Sequence, residues 1–275
     1  MINLRECIGL GIAGNFANHL EQAGEISDFV NVTVKEEHAP KGLFPFYLPN
    51  FENFLGTYPL DETRLILPKE SVNVHMEPEL AILFKINYEG TLVSYITPLK
   101  FGAFNDSTIR KEGAAKISEK KNWGYASKGL SPNLIELDKF ENGGILDSYR
   151  IASFLRRSEQ FEEYGVDSPV LGYNYFYEKL QRWIVAKLNS QEDINPLENI
   201  NEYLNTLHRP EFALISIGAT SYTEFGEKNF LKANDKVYVC IYDSKQYSQK
   251  DIEEFAKADV RESKEGLSML SQEVI

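Results

Sequence analysis

The sequence predicts a mostly β, α+β fold organised around one sheet, and three observations carry that reading. Aromatic residues make up 12% of the chain, with 15 Tyr and 17 Phe, which favours pleated sheet packing over a helical bundle. From Val72 to Ile86 every even position is apolar: Val72, Val74, Met76, Pro78, Leu80, Ile82, Phe84 and Ile86. Strict alternation of this length marks a half-buried strand or strand pair with one face in the core. Late in the chain, Phe212 to Ile217 and Lys236 to Tyr242 are further strands, the second rich in β-branched and aromatic residues.

The remaining elements follow in order. Ile2 to Leu10 reads as a strand that runs into a glycine-punctuated segment, and Asn15 to Ala23 reads as a short helix closed by Gly24 as C-cap. Phe29 to Val34 reads as a strand. Prolines at 40, 45, 49, 59 and 68 make the region from Ala39 to Pro68 extended and turn-rich, a wrapping segment rather than a helix. Thr91 to Thr97 returns across Tyr88-Glu-Gly90 as the second arm of a hairpin. A polar, lysine-rich stretch up to Ser127 reads as a helix and a loop; whether its residues Lys111 to Tyr125 fold over a site as a lid is not decided by the sequence. Leu146 to Leu155 is a strand. Tyr173 to Leu188 carries apolar residues at helical spacing (Phe176, Leu180, Trp183, Ile184, Leu188). Gln249 to Ala258 is a surface helix, and the polar tail from Arg261 to Ile275 is expected to fray. No repeat or clean linker interrupts the pattern, so residues 1–70 read as an N-terminal appendage and residues 71–275 as the main β domain.

Composition narrows the function. At 275 residues the chain buries a substantial core, and 43% hydrophobic with 25% charged residues is ordinary for a globular protein. A net charge of −12 without a basic stretch argues against nucleic-acid binding. Cys7 and Cys240 lie in apolar runs far apart, so both are expected as reduced core residues. The start of the chain lacks the pattern of a signal peptide and no apolar run is long enough to span a membrane, so a cytoplasmic location is expected.

Glu77-Pro-Glu79 is the most informative short segment. On a strand these carboxylates project from one face, about 7 Å apart along the chain, and they repel unless a cation lies between them. A hard divalent ion, Mg²⁺, Mn²⁺ or Ca²⁺, resolves that conflict because it prefers oxygen ligands. Pro78 donates no ladder hydrogen bond, so it belongs at an edge or an interrupted pairing. His75 shares the face. Asp106 follows the next strand at a turn and offers a third acid, although Asn105-Asp106-Ser107 also reads as a helix N-cap. Three carboxylates around one divalent ion leave a charge near −1, which Lys128 could balance.

These pieces stand in the order that resembles the fumarylacetoacetate hydrolase family: Glu77-Pro-Glu79, Asn105-Asp106-Ser-Thr-Ile-Arg110, then Lys128-Gly129. Gly14-Asn-Phe-Ala-Asn-His19 is similar to the family's Gly-x-Asn-Tyr-x-x-His motif. Ile217-Gly-Ala-Thr220 and Phe230-Leu-Lys-Ala-Asn-Asp235 resemble its Gly-Thr-Pro turn and Leu-Lys-Pro-Gly-Asp element. The resemblance implies a mixed β-sandwich roll with short flanking helices, usually a homodimer, with Mg²⁺ or Mn²⁺ held by Glu77, Glu79 and Asp106. It implies a small anionic 2-oxo or β-diketo acid as substrate, cleaved at a carbon–carbon bond or decarboxylated through a metal-stabilised enolate. His19 would be the general base and Lys128 would support substrate or oxyanion charge. Substrate contacts would come from Asn15, Arg110 and Thr220. The sequence departs from the family at three places. Gln22 stands where hydrolytic members carry a glutamate that orients the histidine, with Glu21 and Glu25 on other helix faces. Ala219 replaces the threonine of the Gly-Thr-Pro turn, and Leu48 replaces a lysine in Phe46-Tyr-Leu-Pro49.

Two other readings compete. A non-catalytic protein could keep the fold and bind a small acid or a partner. Gly9-x-Gly11-x-x-Gly14 after a strand fits a dinucleotide fingerprint, but no acid ends a second strand about twenty residues on, and strands and helices do not alternate. A nucleophilic hydrolase lacks its Gly-x-Ser-x-Gly motif, and the histidines at 19, 38, 75 and 208 show no zinc spacing.

Overall fold

The computed structural model describes residues 2–275 other than 17, 18, 23, 25, 35, 37, 71 and 112, and all described side chains except those of 20 and 27. Small and apolar residues after Cys7 form β1 (Ile8–Ala13), buried along its whole length. It pairs antiparallel with β2 (Gly42–Tyr47). A Cβ on Gly9 would meet Phe46 at 2.3 Å, and one on Gly11 would meet Phe44 at 2.2 Å. These glycines therefore let two phenylalanine rings lie across the strand. They sit within a strand and not in a strand-to-helix phosphate loop, which removes the geometry of the dinucleotide fingerprint. Pro45 is tolerated because β2 is the edge of its sheet and the pairing shifts register beside it.

The strands that follow are β3 (Arg64–Leu65), β4 (Asn73–His75), β5 (Pro78–Glu89), β6 (Leu92–Asn105), β7 (Thr108–Arg110), β8 (Gly129–Leu130) and β9 (Ile135–Glu136). Then come β10 (Tyr149–Arg157), β11 (Gln160–Pro169), β12 (Phe212–Ala219), β13 (Lys236–Asp243) and β14 (Leu267–Val274). One mixed sheet runs β2-β1-β12-β5-β6-β8, with β9 also on β6; the second runs β11-β10-β13-β14-β3, and β4 pairs with β7. Leu10, Leu80, Ile82 and Phe101 of the first sheet share one buried core with Ile151, Val239 and Ile241 of the second. This is the mostly β, curled two-sheet roll that the sequence predicts. The first 70 residues, expected as an appendage, supply β1 and β2 to the main sheet, and β1 lies inside it between β2 and β12.

Among the described residues six α-helices flank the sheets: α1 (His19–Gln22), α2 (Ser118–Lys121), α3 (Tyr177–Ser190), α4 (Ile200–Thr206), α5 (Glu224–Lys228) and α6 (Gln249–Lys257). α3 packs on β6 and α4 packs on α3. α6 carries a Ser248–Asp251 capping box and buries Ile252 and Ala256 against Phe154 and Tyr242 on the outer face of the second sheet. Among the described residues, no helix is long and apolar enough to cross a membrane.

Several expectations need correction. The tail does not fray: β14 pairs with β13 along its length and with β3 at its end. Its polar residues misled because Ser268 and Gln272 are buried and hydrogen-bonded rather than solvated. Phe29 to Val34 is no strand; a 3-10 turn covers Ile26–Phe29, and Phe29 packs among Ala13, Phe44 and Ile117 instead of facing a partner strand. Of the helix expected over Asn15 to Ala23, His19–Gln22 is helical among the described residues and Phe16 is instead bridged to Tyr173; residues 17 and 18 lie outside the described residues. The expected end at Ala23 lies outside the described residues, and Gly24 has φ +70°. The strand expected from Leu146 starts at Tyr149, after a 3-10 turn. β5 is also more deeply covered than alternation suggests. Its odd positions Glu79, Ala81 and Leu83 are buried as well, and Ala81 packs in a second cluster with Phe46, Leu60 and Leu130.

Candidate metal centre

Hairpin register assembles the acids. Pro78, the first residue of β5, lies opposite Asn105, the last residue of β6. The two glutamates flanking Pro78 therefore meet the residue just beyond β6, and the Asp106 N–H donates to the Glu77 carbonyl at 2.9 Å. Pro78 has no N–H to give, but its carbonyl accepts from the Thr220 N–H at 3.2 Å. Glu77, Glu79 and Asp106 are all buried, and one carboxylate oxygen from each lies within 4.8 Å of the others. The three acids predicted as metal ligands converge.

Three cations surround them. Lys121 Nζ donates to Glu77 Oε2 and to Asp106 Oδ2, each at 2.5 Å. Lys128, fully buried, donates to Asp106 Oδ1 and to the Ser107 carbonyl at 3.3 Å. Arg110 donates to Glu77 Oε1 at 2.8 Å, to His75 Nδ1 at 3.0 Å and to the Tyr222 hydroxyl at 2.9 Å. Glu79 Oε2 accepts the Gly218 N–H at 2.8 Å.

The electrostatics divide the two glutamates. Burial alone would raise the Glu77 carboxyl, but the Lys121 ammonium and then the Arg110 guanidinium outweigh it and hold Glu77 well below the usual carboxylate range. Burial and then the neighbouring Asp106 charge push Glu79 well above that range, and Lys121 offsets only part of this. Burial also lowers the Lys128 ammonium, against the pull of Asp106. Burial, followed by the Arg110 charge, depresses His75 to about 3, so His75 is a neutral acceptor for Arg110. The cations balance Glu77 and Asp106 better than Glu79. Three gathered carboxylate oxygens with that residual conflict form a donor set that fits a hard divalent ion.

His19 completes the site. Its Nδ1 is 3.0 Å from the Thr220 carbonyl. A carbonyl only accepts, so Nδ1 carries a hydrogen, and in the neutral ring the lone pair is on Nε2. Nε2 lies 3.7 Å from Glu77 Oε1. A cavity of about 20 Å³ opens beside it, lined by His19, Glu77, Glu79, Lys121 and the apolar Phe29 and Ile117, among others. That is room for about one water molecule, so a substrate needs the apolar wall to move. Lys120, next to Lys121, pairs with Asp28 at 2.8 Å and ties α2 to the 3-10 turn bearing Phe29.

Other expected residues have different surroundings. Gln22 does not reach the His19 ring; its amide clamps the Tyr222 backbone, donating to the carbonyl at 3.2 Å and accepting the N–H at 2.9 Å. Glu21 is exposed and Glu25 lies outside the described residues. Asn15 lines the cavity but its amide is bound to the backbone of Tyr175 and Ile217. Thr220 is buried and holds His19 through its carbonyl, while Ala219 lines the cavity and Leu48 is a core residue. Sequence reasoning missed Lys121, because a double lysine in a polar helix reads as a solvated face. The available signal was charge: three buried acids call for more than Lys128.

No curated protein matches the sequence. Solved structures share the fold at low identity. A structure of 2-keto-3-deoxy-D-arabinonate dehydratase complexed with magnesium and 2,5-dioxopentanoate is 14% identical, with a TM-score of 0.55 over 97% of this chain and 72% of that one. Cg1458 with inhibitor is 16% identical, with a TM-score of 0.57 over 98% and 76%. A protein from Yersinia pestis CO92 described as belonging to the fumarylacetoacetate hydrolase family is 12% identical, with a TM-score of 0.52 over 98% and 93%. The fold is thus fumarylacetoacetate-hydrolase-like. Residues 25–274 match the profile of a family of unknown function, DUF5718, and the chain belongs to that family.

Proposed function

We propose that the protein is a divalent-metal-dependent enzyme acting on a small 2-oxo or β-diketo acid, with hydrolysis of a carbon–carbon bond as the leading reaction. The observation that carries this is the convergence of Glu77, Glu79 and Asp106 within 4.8 Å, at a buried place beside a histidine whose Nδ1 is held by the Thr220 carbonyl. Glu77, Glu79 and Asp106 would hold Mg²⁺ or Mn²⁺. When bound, the ion would polarise the oxo oxygen and stabilise the developing enolate as a Lewis acid. His19 Nε2 would take the proton of the attacking water. Lys128 and Arg110 touch the carboxylates rather than the cavity, so their part is to fix Asp106 and Glu77. Decarboxylation asks less of a base and is the second reaction to assay. The magnesium and 2,5-dioxopentanoate bound to the dehydratase of like fold support the substrate class, and a homodimer is part of the same reading, measurable by light scattering.

The test is a thermal-shift series with Mg²⁺, Mn²⁺ or EDTA, with and without oxalate. The wild type should be stabilised by metal and further by oxalate only when metal is present, and Glu79→Gln should lose both effects. No metal-dependent shift in the wild type would sink the enzyme and favour a non-catalytic protein that kept the fold. His19→Ala should lose hydrolysis of acylpyruvates while retaining Mn²⁺ affinity.

A further inference from the structure

We propose that Lys121 is a tethered counter-ion of the acidic triad, one that a divalent cation must displace to bind. The inference rests on the metal reading above and adds a competitor built into the chain. Lys121 Nζ lies 2.5 Å from Glu77 Oε2 and 2.5 Å from Asp106 Oδ2, and both residues belong to the cluster that could share an ion. The other two cations take different oxygens: Arg110 is on Glu77 Oε1 and Lys128 is on Asp106 Oδ1. Those two each hold one carboxylate by its other oxygen, while Lys121 bridges the two carboxylates.

A divalent ion of the magnesium class binds carboxylate oxygens at roughly 2.1 Å. It would draw on the same two carboxylates that Lys121 bridges, and two positive groups about 3 Å apart in a buried place repel strongly. With all three carboxylates ionised, as metal binding requires, Glu77, Glu79 and Asp106 contribute three negative charges, and Arg110, Lys121 and Lys128 contribute three positive ones. The set is balanced by the chain alone, and an added ion with Lys121 in place would leave two excess positive charges. Lys121 has somewhere to go: its side chain is part of the cavity wall, with its ammonium 5.1 Å from the Phe44 ring centroid. Ile117, one residue before α2, lines the same cavity, so metal loading and opening of the apolar wall draw on one short segment.

The experiment is calorimetric titration of MnCl2 into wild type, Lys121→Met and Lys121→Arg at one pH and ionic strength, with thermal unfolding of each in EDTA and in saturating Mn²⁺. Lys121→Met should bind Mn²⁺ roughly tenfold or more tightly than wild type, and Lys121→Arg, which keeps the charge, no more tightly than wild type. In EDTA, Lys121→Met should melt about 5 °C lower, and Mn²⁺ should close that gap. Equal Mn²⁺ affinity in wild type and Lys121→Met would overturn the counter-ion role and leave the metal reading standing; no binding by any of the three would overturn both. Should Lys121→Met not fold, Lys121→Gln replaces it with the same expected results.

Discussion

The Asn105 amide donates to Gln272 Oε1 at 3.0 Å, which ties the last strand of the chain to the turn that carries Asp106. Gln272 Nε2 in turn donates to the carbonyls of Asp61 at 3.0 Å, Arg64 at 2.9 Å and Lys128 at 3.3 Å. One buried amide thus spans β14, the β3 region and the chain on both sides of the acidic triad.

Replacing Gln272 with leucine should therefore cost more than a typical surface change. It takes the partner from the Asn105 amide and a donor from the Asp61 and Arg64 carbonyls, whereas the Lys128 carbonyl keeps the Asp61 N–H at 3.1 Å; an unsatisfied group costs about 1–3 kcal/mol. The expected loss is about 3 kcal/mol in urea unfolding, with weaker Mn²⁺ binding because Asp106 loses its brace. A variant as stable as wild type would show that water replaces these bonds.

Gly218 makes a sharper case for local geometry. Its φ is +118°, and a Cβ there would sit 3.1 Å from the Asn15 Cβ. The turn in β12 at this point aims its N–H at Glu79. Gly218→Ala should cost about 1–3 kcal/mol in backbone strain and lower Mn²⁺ affinity by misplacing Glu79, both read on one purified sample.

How much of this was legible depended on whether the signal was local. The alternation from Val72 to Ile86 found β5, and the β-branched run from Lys236 found β13, because side-chain periodicity is a local property. The meeting of Asp106 with Glu77 is a matter of hairpin register, Pro78 opposite Asn105, which no periodicity displays; it was reached through motif order. Lys121, Ser268 and Gln272 escaped for a shared reason. Each is polar, and polarity was read as exposure, whereas burial of a polar group depends on partners supplied by other elements. Phe29 failed in the opposite sense, an apolar residue that packs by its side chain on Ala13, Phe44, Ile117 and Leu197 from a 3-10 turn and not from a paired strand.

The two glutamates should respond differently to neutralisation. Glu77 pairs with Lys121 and Arg110, so Glu77→Gln leaves buried positive charge uncompensated and should destabilise the metal-free protein by about 3–5 kcal/mol. Glu79 is already driven toward its neutral form by burial and by Asp106, so Glu79→Gln should change stability in EDTA by less than about 1 kcal/mol. Both should abolish Mn²⁺ binding. Equal destabilisation by the two would contradict the asymmetry.

Glu198 offers a pH test away from the acidic triad. It is 2% exposed, and burial pushes its carboxyl up to about 7, with the Ser118 hydroxyl offsetting only part of that. The unfolded-state value is 4.5. A folded pKa above the unfolded one means the protonated form is favoured by folding. Its contribution is complete below about pH 4.5 and lost as pH rises through about 7. The raised carboxyl corresponds to a loss on the order of 3 kcal/mol across that window. In Glu198→Gln, which cannot ionise, that component should vanish. The stability difference between variant and wild type, from urea unfolding at pH 5 and pH 8, should therefore shift in favour of the variant at the higher pH. A difference that stays constant between the two pH values would place the Glu198 carboxyl in contact with solvent or a cation.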